Sequence, residues 1–326
     1  MYEEGGEFPA YGADALRFGL LAMSSSQDVR FNEERVKQGR DLANKLWNAA
    51  RLILLRVSDV EPDPRGGTTV EDRWIVSRLE RLTERATELY DGFRFSAAAL
   101  ELYGGFWSEL ADWYLELAKP RLYEEDNAEV SAVLLWALER TLRLLHPVMP
   151  FVTEEIWDLM PGERGLLAVA DFPVADPSRF DEDAELELGR MIEAVTALRR
   201  YRDEVGANPS KPIRGRLDAE GYDAVRAHIS RLSRTDWVEE VSAADVLATV
   251  RIPGGGVPVL PSEAFDPAEA EGRHDKKAAD LSNEIERAET KLANEQFVAK
   301  APAAVVEEER RKLEEYREAL RRLETE

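Results

Sequence analysis

Apolar positions along most of the chain recur at helical intervals. Asp14 to Met23 is a short apolar stretch followed by the polar turn Ser24 to Asp28, which predicts a short helix. Val36, Ala43, Leu46, Ala50, Ile53 and Val57 follow at steps of three, four and seven, one amphipathic helix ended by the Pro62, Pro64, Gly66, Gly67 cluster. Ile75, Leu79, Leu82, Ala86, Leu89 and Phe93 mark a second stripe, and Leu102, Phe106, Leu110, Trp113 and Leu117 a third, with Pro120 expected to stop it. A fourth helix runs through Val130, Val133, Leu134, Ala137, Leu138, Thr141 and Leu145 and closes at His146 and Pro147. Four long helices joined by short connections predict an antiparallel bundle. Gly104 and Gly105 lie inside the third helix, where each costs up to about 1 kcal/mol relative to alanine, so they imply a close helix contact or a kink.

Beyond Pro173 and Pro177 the acidic run Asp181 to Glu187 opens another helix, where negative charge complements the positive helix end. The texture then changes. Ile213 to Leu217 and Val246 to Ile252 alternate like strands, and Pro253 to Gly256 reads as a hairpin turn into Val257 to Leu260. The last segment returns to helical spacing: Ala278, Leu281, Ile285, Ala288 and Leu292, then Val306, Leu313, Tyr316, Leu320 and Leu323 beyond Pro302. The fold class expected is therefore mainly α: an antiparallel bundle over residues 29–180, a small α+β subdomain over 181–262, and an antiparallel coiled-coil hairpin over 263–326. A helix from Glu269 to Leu292 would reach roughly 35 Å at about 1.5 Å per residue.

Composition narrows the chemistry. The absence of cysteine excludes disulfides, thiolate metal sites and a cysteine nucleophile. No apolar run approaches membrane-spanning length and the start lacks a secretory pattern, so the cytoplasm is expected, without a membrane. With 43 basic and 65 acidic side chains the net charge is −22, which repels polyanions at long range. Positive groups nevertheless cluster. Arg35, Lys37, Arg40, Lys45 and Arg51 decorate the first long helix, and Arg199, Arg200, Arg202, Lys211, Arg214 and Arg216 surround the loop Gly206 to Pro212. In an acidic protein such clusters are where phosphates can sit.

Other motifs carry less. His146, His228 and His274 show no metal-ligand or triad spacing, and Gly254 to Gly256 lacks the Lys-Ser/Thr of a phosphate loop. Trp47, Trp107, Trp113, Trp136 and Trp157 lie on or near apolar faces and are core by default.

A family resemblance joins these pieces. Tyr11 to Phe18 (YGADALRF) resembles the segment after the mobile ATP-site loop of class I synthetases. Asn44 to Ala49 (NKLWNA), Asp112 to Pro120 (DWYLELAKP) and His146 to Trp157 (HPVMPFVTEEIW) resemble successive helices of the valyl-tRNA synthetase anticodon-binding bundle. Lys291 to Pro302 (KLANEQFVAKAP), with Val305 and Val306, resembles the hairpin tip of that family's carboxy-terminal arm. Residues 1–28 then read as a remnant of the junction with a catalytic domain.

The resemblance implies that the bundle holds the anticodon of valine tRNA and that the arm touches the tRNA's outer corner. It points to Arg40, Asn44, Lys45 and Asn48 as anticodon contacts, and to Lys291, Lys300, Arg310, Arg311 and Lys312 as arm contacts. No catalytic or metal residue and no cofactor is expected in this chain. The ATP-site motifs and the editing domain have no counterpart, so ATP would be used by a catalytic domain outside it, and the isolated chain is expected to be inactive. A separate catalytic half is one expected partner. Two alternatives stay open: a helical interaction module in which the coiled coil recruits protein, and a truncated product without a role of its own.

Overall fold

The structure, a computed structural model, describes residues 10–23, 31–294 and 303–325. The expected turn at Ser24 to Asp28, Lys300 and Pro302 fall outside the described residues, as does the side chain of His274. The chain divides into two compact units, Met1–Leu188 and Gly189–Glu326.

The first unit is helical. It comprises α1 (Ala13–Ala22), α2 (Glu33–Leu54), α3 (Val70–Asp91), α4 (Phe95–Gly104), a π-helical segment Gly105–Tyr114, α5 (Leu115–Leu122), α6 (Ala128–Leu145) and α7 (Pro150–Asp158). Capping residues set the starts. The Asn32 side chain accepts the Glu34 N–H, and the Thr69 hydroxyl accepts the Asp72 N–H at the head of α3. The apolar stripes bury as expected: Val36, Leu46 and Ile53 of α2, Ile75, Leu79 and Leu89 of α3, and Val133, Leu134, Leu138 and Leu145 of α6 are almost solvent-free.

Two sequence expectations change. Pro120 does not stop the third helix, which runs on to Leu122. The π-helical turn just ahead already departs from the i to i−4 ladder whose amide proline lacks, which eases its presence. Phe93 is not on the α3 stripe. It lies past the helix end in the left-handed region (φ 55°) with its ring 77% exposed. Gly105 explains the glycine pair, because a Cβ there would sit 2.4 Å from the Leu82 side chain, whereas Gly104 has open space.

Two buried ionic knots hold the bundle. Asp72 accepts from the Tyr114 hydroxyl at 2.7 Å and from both terminal nitrogens of Arg121 at 2.7 Å. Burial opposes charge on Arg121, but the hydrogen bonds it donates to Asp72 and the charges of Asp72 and Glu71 outweigh it and raise its pKa. Fully buried Glu80 accepts from Arg140 at 3.1 Å, from Arg179 at 2.8 Å and from the Asp176 N–H at 3.0 Å. Neither carboxylate is left without donors, the condition for burying charge at tolerable cost.

The second unit joins a small sheet to the hairpin. Helix α8 (Glu182–Glu204) buries Met191, Val195 and Leu198 within it. The sheet comprises β1 (Ile213–Gly215), β2 (Asp218–Ala219), β3 (Thr235–Trp237), β4 (Ala248–Ile252) and β5 (Gly255–Leu260), with α9 (Arg226–Ser233) between β2 and β3. β5 is the hub, antiparallel to β1, β2 and β4, while β1 runs parallel to β3. Gly254 sits in the β4–β5 hairpin at φ 76°, a conformation that favours glycine.

Helices α10 (Pro267–Ala293) and α11 (Ala303–Thr325) form the hairpin. Lys291 pairs with Glu309 and Glu289 with Arg317, so partners climb α11 as positions descend α10, the register of an antiparallel pair. Ala288 and Val306 are buried in the seam, and Leu281, Ile285, Leu313, Tyr316 and Leu320 are half-buried. A mainly α chain with an antiparallel bundle, a small mixed sheet and a coiled-coil hairpin is thus what the polypeptide forms. The start of α10 is not free-standing, however. The Asn208 N–H donates to the Ala264 carbonyl at 2.7 Å, Arg273 donates to the Val205 carbonyl at 3.2 Å, and Tyr201 and Phe265 meet edge to face.

Candidate nucleic-acid interface

In α2 the buried stripe leaves the opposite arc to solvent, and all four residues singled out from the sequence lie on that arc. At about 100° per residue, Arg40, Asn44, Trp47 and Arg51 fall within roughly 60° of one another, and Asn48 and Lys45 continue the arc toward its far edge. Arg40, Asn44 and Asn48 are exposed. Arg40 pairs with Asp41 at 2.7 Å and stands 5.7 Å from the centre of the Tyr11 ring. Tyr11 in turn donates to Glu33, which raises the tyrosine's pKa.

Lys45 is differently placed. Its Nζ lies 3.8 Å from the centre of the Trp107 ring and is hydrogen-bonded to Asp112. Trp107 also stacks on Tyr103 at 5.3 Å with an 18° interplanar angle. The lysine is thus held by a cation–π contact and a carboxylate at once, whereas Arg40 is held by an exposed pair. Exposed pairs contribute about 0–1 kcal/mol and are exchanged readily for a phosphate.

Trp47 corrects the default assignment to the core: 38% of it is exposed. It forms part of two adjoining hollows. One, about 440 Å³, is lined by Tyr11, Arg40, Asn44, Trp47, Phe151 and Glu155 among others; the other, about 230 Å³, is lined by Trp47, Arg51, Leu54, Leu55, Ile156 and Leu159. The wall opposite α2 is α7, whose position is set from α1. Asp14 accepts the N–H groups of Phe151 and Val152 at the α7 start (3.2 and 2.7 Å), and Arg17 donates to the carbonyls of Pro147 and Val148 (2.9 and 3.2 Å). A signal for Trp47 existed: it falls in step with Arg40, Asn44 and Arg51, at spacings of four, three and four, not with the apolar stripe. Phe151 and Glu155 carried no such signal.

The members of the second basic cluster are held in different ways. Arg202 is only 8% exposed and donates to the carbonyls of Arg234, Asn208 and Lys211 (3.2, 3.0 and 3.0 Å), stapling the loop from within. Arg199 donates to the Leu232 carbonyl, Lys211 pairs with Glu263, which raises the lysine's pKa, and Arg216 pairs with Asp218. Arg199 and Arg202 are thus taken up by internal carbonyls, and Lys211 and Arg216 by carboxylates.

On the hairpin, Lys291 pairs with Glu309 at 2.8 Å, Arg310 with Glu307 at 3.1 Å, Arg311 with Glu308 at 2.7 Å, and Lys312 with Glu308 at 3.9 Å. All four stand on the described parts of the two helices; Lys300 lies outside them. His146 donates to or accepts from the Thr153 hydroxyl at 2.8 Å, and its pKa is lowered by burial against the pull of Glu154 and Asp14. Among the described residues no group of three His, Asp or Glu side chains could hold a metal ion, and no helix is long and apolar enough to cross a membrane.

Residues 72–217 match the anticodon-binding domain of tRNA ligases, and residues 266–326 match the valyl tRNA synthetase tRNA binding arm. The first match begins after α2, so α2 enters through whole-chain similarity. The chain is 39% identical over 323 residues to the valine--tRNA ligase of Geobacillus stearothermophilus, covering 94% of the chain and 37% of the relative. It is 35% identical to that of Bacillus subtilis (94% and 37%) and 37% identical to that of Dehalococcoides mccartyi (96% and 38%). The chain therefore spans little more than a third of the length of these relatives.

Proposed function

Because the chain belongs to the valyl-tRNA synthetase family and corresponds to its carboxy-terminal part, we propose that it is the tRNA-gripping region of a valine--tRNA ligase. It contributes anticodon and outer-corner contacts to the attachment of valine to its tRNA, in the cytoplasm. The observation that carries this is the exposed arc of α2, where two guanidinium groups, two amides and an indole share one solvent-facing side beside a cleft. Unpaired loop bases are read by stacking and by their edges, which amide, aromatic and basic side chains supply.

Within this proposal Arg40, Asn44, Lys45 and Asn48 face the anticodon stem and loop, with Arg40 the more readily transferred to a phosphate and Lys45 held back by Asp112 and Trp107. Lys291, Lys300, Arg310, Arg311 and Lys312 serve the arm. Their pairing with neighbouring glutamates does not disqualify them, since exposed i,i+3 and i,i+4 pairs are weak. ATP use and amino-acid activation belong to a catalytic half, on the same or a separate polypeptide, which is the second partner proposed.

A second reading draws on the same arm. Lys291, Arg310, Arg311 and Lys312 each have a carboxylate partner, as in a coiled coil that binds protein and not RNA. Titrating labelled valine tRNA into the chain at rising salt separates the two. RNA binding through phosphates predicts an affinity that falls steeply and linearly in log–log form, and Arg40→Glu should weaken it further. Absence of binding at low salt would overturn the tRNA-binding reading.

A further inference from the structure

Two cations near the root of the hairpin close on the carboxy-terminal end of α8. The Arg273 guanidinium donates to the Val205 carbonyl at 3.2 Å, and Lys277 pairs with Glu204 at 3.1 Å. Four residues apart, they share one face of α10. Carbonyls at the end of a helix lack intrahelical donors and carry the negative end of its dipole, so cations are favoured there. Gly206 makes the room. It stands in the left-handed region at φ 64°, and a Cβ on it would lie 1.1 Å from Nη1 of Arg273. The guanidinium thus fills the space that a side chain at 206 would need. Both cations are about half exposed, so each contact is weak and easily exchanged.

Beside these contacts lies a hollow of about 440 Å³, lined by Tyr201, Leu247, Phe265 and Ala270 and by both cations. The first turns of α10 therefore border open space on this side, where interlocked side chains would otherwise fix a helix. Farther out α10 pairs with α11, through Glu289 with Arg317 and Lys291 with Glu309. From Arg273 to Lys291 the helix rises about 27 Å, so a turn of about 10° at its root carries Lys291 about 5 Å. We propose that Arg273 and Lys277, seated on Gly206 and Glu204, form a latch that fixes the direction of the hairpin, and that opening it lets the hairpin swing over the hollow. The consequence for RNA rests on the tRNA-binding reading above. A hairpin of fixed direction offers its cations to a tRNA already held elsewhere at a high effective concentration, which a swinging one dilutes. Arg273, Lys277, Glu204 and Gly206 are positioning residues in this account.

The test uses the full chain, which has no cysteine, so Ala227→Cys on α9 and Thr290→Cys on α10, both exposed, accept a pair of spin labels and nothing else does. Pulsed electron resonance on the latched chain is expected to give one narrow distance distribution, widened by about 4 Å in Lys277→Glu and in Gly206→Ala. Exchanging the pair, Glu204→Lys with Lys277→Glu, should restore the narrow one. Gly206→Ala also strains the backbone, so it is repeated on Arg273→Ala, where expulsion of the guanidinium predicts no further widening. Distributions like the parent's in Lys277→Glu and Gly206→Ala, or a glycine effect undiminished without Arg273, would overturn the latch. With RNA, Lys277→Glu should weaken intact valine tRNA about fivefold, leave an isolated anticodon hairpin and the melting temperature unchanged, and be rescued by the exchange. Equal loss on the anticodon hairpin, or a loss that the exchange does not recover, would contradict a positioning role. If no RNA binds while the distances still respond, the tRNA-binding reading falls and the latch stands.

Discussion

At the scale of single residues, side chains of one type separate into unlike roles once their surroundings are known. Arg202 and Arg40 look alike in sequence, yet one fills three internal carbonyls and the other stands in solvent. Arg202→Leu is expected to destabilise the second unit by at least about 2 kcal/mol, because buried carbonyls lose charged donors. Arg214→Ala, at an exposed neighbour, should stay within about 0.5 kcal/mol in the same urea titration. Equal effects would contradict the staple. Glu185 offers a pH test. Burial pushes its pKa up, but the Ser77 hydroxyl and the guanidinium groups of Arg81 and Arg78 outweigh that and hold it below the ordinary carboxylate value. A depressed pKa stabilises the fold above the unfolded-state value of about 4.3 and loses that contribution as pH falls through the folded value. Glu185→Gln should therefore lower stability at neutral pH and flatten its decline below about pH 4.5; a parallel acid curve would refute the assignment. Neither role was legible in the sequence. The partners of these two side chains come from segments up to 108 positions away, as with Ser77 and Glu185, and spacing does not encode them.

Elements were more legible than residues, for a physical reason. Helical stripes such as Val36, Leu46 and Ile53 record burial directly in the 3.6-residue period, and the strand β4 records it in alternation. What periodicity could not convey was continuity, as where the helix passes through its π-helical turn and Pro120, or the short pieces β2, β3 and α9, which hold too few residues to show a period. The hairpin's root belongs to the same class of miss. Its first turns lie against Tyr201, Leu247 and Phe265, so the arm is not separable at Glu263. Truncation after Ser262 should lower the melting temperature of the second unit, since it removes Ala264 and Phe265 from their contacts. Truncation after Lys277 should leave that temperature nearly unchanged while lowering tRNA affinity. Identical melting of the two truncations would show that the root is ornamental; undiminished affinity in the longer one would move the arm from RNA contact to protein docking.

For the whole molecule the governing tension is charge. A chain of net charge −22 cannot gather RNA by its overall field, so recognition has to come from local arcs against a repulsive background. Low salt should then raise affinity less than for a basic protein making the same contacts, but selectivity among tRNAs should survive, since base edges supply it. The face of α2 was foreseeable from its basic residues, whereas the cleft that gives it shape depends on α7, which Asp14 and Arg17 position from far away in the sequence. The most direct test is a comparison at one fixed moderate salt between valine tRNA and the same tRNA carrying another anticodon, each titrated into the unaltered chain. Binding of the swapped tRNA at least about tenfold weaker is the predicted result. Equal affinity for the two would contradict an anticodon-reading surface on α2.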